Sequence, residues 1–271
     1  MSLFRRETLY VGMESTGIAI VKLAGGRRPK VLADVYLPLV LDPHAPGLSA
    51  LAEHLAAPAF AARRVHVVLA DTLVRYFIAD RPRGVRNLAE LHSLIAARFE
   101  EQFGLPASDW NIASDLAPAA QRYLACAMPR VLCEAVRSLV AGAGLQLTAL
   151  EPYAISEINR WRRRVPGGPM WFAATRPDAV TLGYWNRGGW QGMRTHAGTA
   201  GLEQSLGMLA ERDSLLHGVA DVIPIACTGL TGQPVGVPAI PGIKTIGATL
   251  WPGRGEAWSR TYRAALSGVW P

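Results

Sequence analysis

One pattern in this chain occurs twice, and it restricts the possible folds more than any composition figure does. Residues 8–13 form a short apolar run, Glu14-Ser15-Thr16-Gly17 a turn, residues 18–23 a β-branched run, 25–30 a polar glycine-rich turn, and 31–40 a third apolar run. Strand, tight turn, strand, turn, strand reads as an antiparallel meander. The same order returns with residues 170–174, a turn at Arg176-Pro177-Asp178, residues 179–185, a turn at 186–189, and residues 190–195. Each meander is followed by segments of a different period. Between the two copies stands Val165-Pro166-Gly167-Gly168-Pro169, where two prolines and two glycines stop any regular element.

After the first meander, leucines at 48, 51 and 55 keep a helical spacing, residues 65–70 read as a buried strand, and 73–79 as another strand. Leu88, Leu91, Leu94, Ile95, Phe99 and Phe103 then share one face of a helix over 87–103, with Asn87 as its cap and Gly104 and Pro106 as its stop. Strands are expected at 110–113 and 122–127, a helix at 131–143, a strand at 145–150 and a helix at 153–163. In the second half a helix is expected at 199–209 and a buried strand at 222–228. The Gly- and Pro-rich tail that follows is expected to close with a short helix at 255–266.

Half the residues are apolar and 18% are charged, so the chain can bury a sizeable core. The net charge of +7 is spread along the sequence rather than gathered in a tail, which argues against a nucleic-acid partner. Arg160, Arg162, Arg163 and Arg164 form the one dense cluster, read as a solvated helix end. Cys126, Cys133 and Cys227 have no metal-ligand spacing and are expected as buried thiols. Charges at Arg5, Arg6 and Glu7 leave no apolar stretch for a signal peptide, and no run approaches the roughly 20 apolar residues of a membrane span.

Common catalytic arrangements are missing from the sequence. The six histidines form no HxxxH or HExxH pair and are expected at or near the surface. Ser205 lacks the first glycine of a nucleophile elbow, and the adjacent Glu100 and Glu101 point to different sides of a helix. No catalytic residue and no metal ligand is therefore assigned.

A duplicated meander followed by alternating helices and strands is the plan of the two-lobed actin-like (ribonuclease H-like) α/β fold. The stretch Tyr10-Val11-Gly12-Met13-Glu14-Ser15-Thr16-Gly17-Ile18-Ala19-Ile20-Val21-Lys22-Leu23 resembles the opening strand-turn-strand of the PilM family. These are actin-like cytoplasmic components of type IV pilus assembly, and the cytoplasmic L protein of type II secretion shares their fold. Further similarities follow in order: Leu73-Val74-Arg75-Tyr76, Trp110, Arg122-Tyr123-Leu124-Ala125-Cys126-Ala127-Met128-Pro129, Leu150-Glu151-Pro152 and Asn159-Arg160. The resemblance covers about residues 8–164. It implies a first lobe at 1–164 with an inserted subdomain at about 87–150, and a second, reduced lobe at 165–271.

The nucleotide site of such a fold needs a hairpin whose backbone N–H groups meet phosphate, an acid beside it, and a matching hairpin in the other lobe. Glu14, Ser15, Thr16 and Gly17 could supply the first, with Gly17 able to take positive φ. Gly229 falls near where an adenosine-binding turn would lie. The second hairpin carries Ala173 and Ala174 near the acidic position and Arg-Pro in the turn, where proline removes a donor. The expectation is a non-enzymatic adaptor with no cofactor and at most weak Mg·ATP binding; the alternative is an active ATPase or phosphotransferase of the actin/sugar-kinase superfamily. The resemblance further implies a cytoplasmic location peripheral to the inner membrane. The implied partners are the N-terminal tail of an inner-membrane platform protein and a cytoplasmic assembly ATPase, with the tail beside the inserted subdomain and Arg75 and Tyr76 as contacts.

Overall fold

The computed structural model of the chain describes residues 7–26, 29–81, 84–85, 87–115, 121–161, 168–176, 179–186, 189–198, 202–219, 223, 225–228 and 243–247. The expected turn at 177–178, Arg162–Arg164, Gly229 and the closing helix at 255–266 lie outside these residues, as do Arg5 and Arg6. The chain divides into two compact units, one built from Met1–Val74 and Pro129–Arg160, the other from Arg75–Met128 and Trp161–Leu250.

The first unit holds a five-stranded sheet in the order β3-β2-β1-β4-β8. Its strands are β1 (Glu7–Glu14), β2 (Gly17–Ala24), β3 (Lys30–Pro38), β4 (Arg64–Leu69) and β8 (Gln146–Pro152). β1, β2 and β3 pair antiparallel, as the meander predicts, while β4 runs parallel to both β1 and β8. Parallel neighbours need crossovers, and the chain provides α1 (Ser49–Ala56) before β4, α3 (Arg130–Gly142) before β8, and α4 (Tyr153–Trp161) after it. Alternation puts Leu9, Val11, Met13, Ile18, Ile20, Val65, Val67 and Leu69 on one face, each at most 1% exposed. Burying one such side chain is worth about 1.5–3 kcal/mol, so this face fixes the register.

The second unit repeats that order as β11-β10-β9-β12-β13. Here β9 is Met170–Arg176, β10 Ala179–Asn186, β11 Gly189–Ala197, β12 Ile225–Thr228 and β13 Ile243–Gly247. β13 lies in the stretch expected as a Gly- and Pro-rich tail, where five residues carry too short a pattern to register as a strand. The helix α5 (Leu202–Leu216) runs seven residues past its expected end, and Leu206 and Ala210 pack on Trp171, Val180, Leu182 and Tyr184.

The same unit contains a three-stranded sheet, β5-β7-β6, made of β5 (Arg75–Asp80), β6 (Trp110–Ser114) and β7 (Arg122–Pro129), with α2 (Leu88–Phe103) against it. This inserted subdomain therefore spans about 75–128 rather than 87–150. The physical reason is that α3 and β8 pack and pair within the first sheet, while β5 pairs with β7. Asn87 caps α2 as predicted. Its Oδ1 accepts the Glu90 N–H at 2.9 Å and its side-chain amide donates to Glu90 Oε1 at 2.9 Å. Gly104 ends the helix at φ 65°. Leu91, Ile95 and Phe99 enter the core with Phe77, Trp110 and Tyr123, but Leu88 and Leu94 stay exposed, so the apolar face is narrower than the spacing suggests.

All three cysteines are buried thiols. Arg160 is not solvated as expected: its side chain is 8% exposed and lies 3.5 Å from Glu157. No helix among the described residues is long and apolar enough to cross a membrane.

Candidate functional site

The hairpin joining β1 to β2 pairs Glu14 with Gly17 across Ser15 and Thr16. Glu14 is 1% exposed, at the C-terminal edge of a strand whose neighbour β4 runs parallel to it. That edge is where open α/β sheets place ligands. The turn's carbonyls are already engaged. Ser15 O accepts the Leu41 N–H at 2.8 Å, and Thr16 O accepts the Leu39 N–H at 3.4 Å and the Tyr36 hydroxyl at 3.1 Å. Gly17 is not in the left-handed region, contrary to expectation. The residue is glycine for another reason: a Cβ there would stand 2.3 Å from the Tyr36 hydroxyl oxygen and 2.6 Å from its ring. Beside this edge, Asp71 is 2% exposed and accepts the Ala154 N–H at 3.0 Å in the first turn of α4. It holds a helix terminus.

The hairpin joining β9 to β10 has the same construction. Arg176 pairs with Ala179 across two residues, and β12 runs parallel to β9 as β4 does to β1. The last residue of the central strand is thus Glu14 in one unit and Arg176 in the other. Arg176 belongs to the buried strand, at 2% exposure, rather than to the turn where the sequence reading put it. All seven residues of β9 are buried and none is acidic. Thr175 donates its hydroxyl to Thr228 O at 2.6 Å, tying β9 to β12 at the edge just before Gly229. Sequence reasoning missed Tyr36, Asp71, Thr175 and Arg176, because each acquires its meaning from a strand or helix distant along the chain.

In the subdomain, Tyr76 is 6% exposed and pairs opposite Cys126, so it packs in the sheet rather than offering a contact surface. Arg75 is exposed, its guanidinium carbon 5.9 Å from the centroid of the Trp110 ring. An open cavity of about 530 Å³ between β5 and α2 is lined by Ala79, Asp80, Leu94, Ala97, Arg98 and Glu101; Arg75 and Tyr76 do not line it.

Two histidine–carboxylate pairs depart from the expectation of surface histidines. His66 lies 3.0 Å from Glu151, stacked on Tyr10, and buried His196 lies 3.0 Å from Asp213. Burial pushes both carboxyls up, but the hydrogen bond and charge of the histidine outweigh it and leave each below the usual range. His217 is held below the ordinary imidazole range, chiefly by burial. Among the described residues no group of three or more His, Cys, Asp or Glu side chains is placed to hold a metal ion.

No family model and no curated protein matches the sequence. Solved structures do match. The cytoplasmic domain of EpsL, an inner-membrane component of the type II secretion system of Vibrio cholerae, is 16% identical with a TM-score of 0.56, over 83% of this chain and 84% of that one. A PilM–PilN type IV pilus biogenesis complex matches at 16% identity and TM-score 0.58, over 84% and 82%. A Bacteroides thetaiotaomicron protein with an actin-like ATPase fold matches at 12% and TM-score 0.52, over 86% and 87%. Two sheets of one strand order, each opening on the same hairpin, and alignment with these structures over most of its length show that the chain has the actin-like fold, the fold it shares with these proteins of type II secretion and type IV pilus systems.

Proposed function

We propose that the chain is a non-enzymatic adaptor of a type IV pilus or related secretion machine, working at the cytoplasmic side of the inner membrane on the tail of a membrane-anchored partner. The observation that carries this reading is the mismatch between the two hairpins. A Mg·ATP clamp wants an acid at the end of each central strand, and here Glu14 is answered by the buried Arg176. The β9–β10 turn also contains Pro177, which offers no N–H to a phosphate. Further support comes from the matched structures, one a domain of an inner-membrane secretion component and one a complex of two pilus biogenesis proteins. In this reading the tail docks on the subdomain, with Arg75 the contact residue on the surface; a cytoplasmic assembly ATPase is the further partner.

The rival reading, an active ATPase, is favoured by Glu14 and the Ser15-Thr16-Gly17 turn alone. Thermal melting with millimolar Mg·ATP separates the two. A ligand at 100 times its dissociation constant stabilises a fold by about 2.7 kcal/mol, an easily measured shift. We expect the melting temperature to stay within error. An upward shift that disappears in Glu14→Ala would overturn the proposal.

A further inference from the structure

Within the second unit, His196 on β11 and Asp213 on α5 have side chains 8% and 4% exposed, with His196 Nε2 3.0 Å from Asp213 Oδ2. The other ring nitrogen is engaged too, since Arg212 Nη2 lies 2.8 Å from His196 Nδ1. A guanidinium has only donors, so Nδ1 must accept and carries no proton. The proton of the neutral ring therefore sits on Nε2, which donates it to Asp213. These two contacts fix both the tautomer and the charge of His196. Arg212 is held less firmly. Its Nε stands 3.6 Å from Asp213 Oδ1, beyond hydrogen-bond distance, and its side chain is 56% exposed.

We propose that His196 and Arg212 form a proton-operated switch, in which a proton taken up at Nδ1 displaces the Arg212 guanidinium into solvent. The proton comes from water and occupies the lone pair that Arg212 uses, so the new N–H and the old hydrogen bond exclude one another. The site then holds two cations beside one carboxylate. The imidazolium stays, because it is anchored in a buried strand and keeps its bond to Asp213. The guanidinium leaves, because more than half of its side chain already faces water and such a contact is weak. The neighbouring charges do not reverse this. Arg194, on the same face of β11, adds to the positive field at Asp213, and α5 contributes the exposed Glu211 and His217. β10 has no charged residue, while β5 carries Arg75 and Asp80 at its ends, the latter held by Arg122 of β7. Release places a free guanidinium between Met208 and Leu215, 64% and 82% exposed on the same face of α5. Acidification thus adds an available cation to an apolar helix face. This inference stands independently of the adaptor reading.

The test is nitrogen NMR of the full chain between about pH 8 and about pH 5, following the His196 ring nitrogens and the Arg212 guanidinium. At the upper end Nε2 should carry the proton and Nδ1 none, with separate Arg212 Nη signals because the held guanidinium cannot rotate. As Nδ1 takes its proton, the Nη signals should merge with the same midpoint. Release should be lost in His196→Gln, whose amide can serve both neighbours without taking a proton, and should persist in His217→Gln. Arg212→Ala alters only a side chain at the surface, so it keeps the fold. There Nδ1 should take its proton at a higher pH than in the wild type, because its competitor is gone. A proton on Nδ1 at the upper end, no uptake across the range, Nη signals still separate after uptake, or an unmoved midpoint in Arg212→Ala would each overturn the switch.

Discussion

Replacing Gly17 with alanine should have opposite effects on stability depending on what occupies position 36. The new Cβ would sit 2.3 Å from the Tyr36 hydroxyl oxygen and 2.6 Å from two ring carbons, well inside contact distance. Tyr36 is 38% exposed, so the ring can swing outward rather than distort the sheet. Swinging out forfeits its 3.1 Å hydrogen bond to Thr16 O, worth about 0.5–1.5 kcal/mol, together with the packing of the ring on the turn. Against this, alanine in place of a strand glycine recovers about 0.5–1 kcal/mol by restricting the unfolded chain, because Gly17 has no left-handed φ to protect. In the native background the two effects leave a net loss of up to about 1 kcal/mol. In a Tyr36→Ala background the obstruction is gone, and Gly17→Ala should stabilise by about 0.4–1 kcal/mol. The coupling between the positions is then about 1–2 kcal/mol, within the range seen for residues in contact. Hydrogen exchange of the β1 and β2 amides in the four members of the cycle reads the local free energies directly. Equal destabilisation by Gly17→Ala in both backgrounds would refute the argument, because it would place the requirement for glycine in the backbone rather than in the neighbouring ring.

Tyr76→Ala should destabilise the second unit by about 2–4 kcal/mol, the cost of truncating a large buried side chain, whereas Arg75→Ala should cost under about 1 kcal/mol. Chemical unfolding followed by tryptophan fluorescence compares them, and equal small losses would contradict the burial of Tyr76. Acidification should weaken the second unit through His217. Its folded-state pKa lies below the unfolded value of 6.5, so the unfolded chain takes up the proton first. Stability is therefore full above about pH 6.5 and falls as pH drops toward the folded-state value. His217→Gln should flatten the pH dependence between about 7.5 and 5.5, and an unchanged slope would remove His217 as its source.

The amino-acid sequence by itself determined the two meanders, the helices between them and the duplication that joins these into one fold. Those features are local: alternation of period two, apolar spacing of period 3.6, Asn87 before α2 and Gly104 after it all act within a few residues. A duplication also needs no contacts to be seen, only two stretches of the same pattern. What depended on distance along the chain was decided by tertiary structure. The subdomain runs to about 128 and no further because β8 pairs with β4, a partner some eighty residues earlier that no local pattern announces. Gly17 is glycine because of Tyr36, which folds back on it from the neighbouring strand β3. Arg176 looks like a turn residue beside Pro177, yet it closes a fully buried strand, because burial depends on the strands and helix packed around β9. Tyr76 likewise stands in sequence beside an exposed arginine, but alternation sends the two side chains to opposite faces of β5; Phe77 and Ala79 enter the core under α2, while Tyr76 is buried on the other face by packing that no local pattern announces.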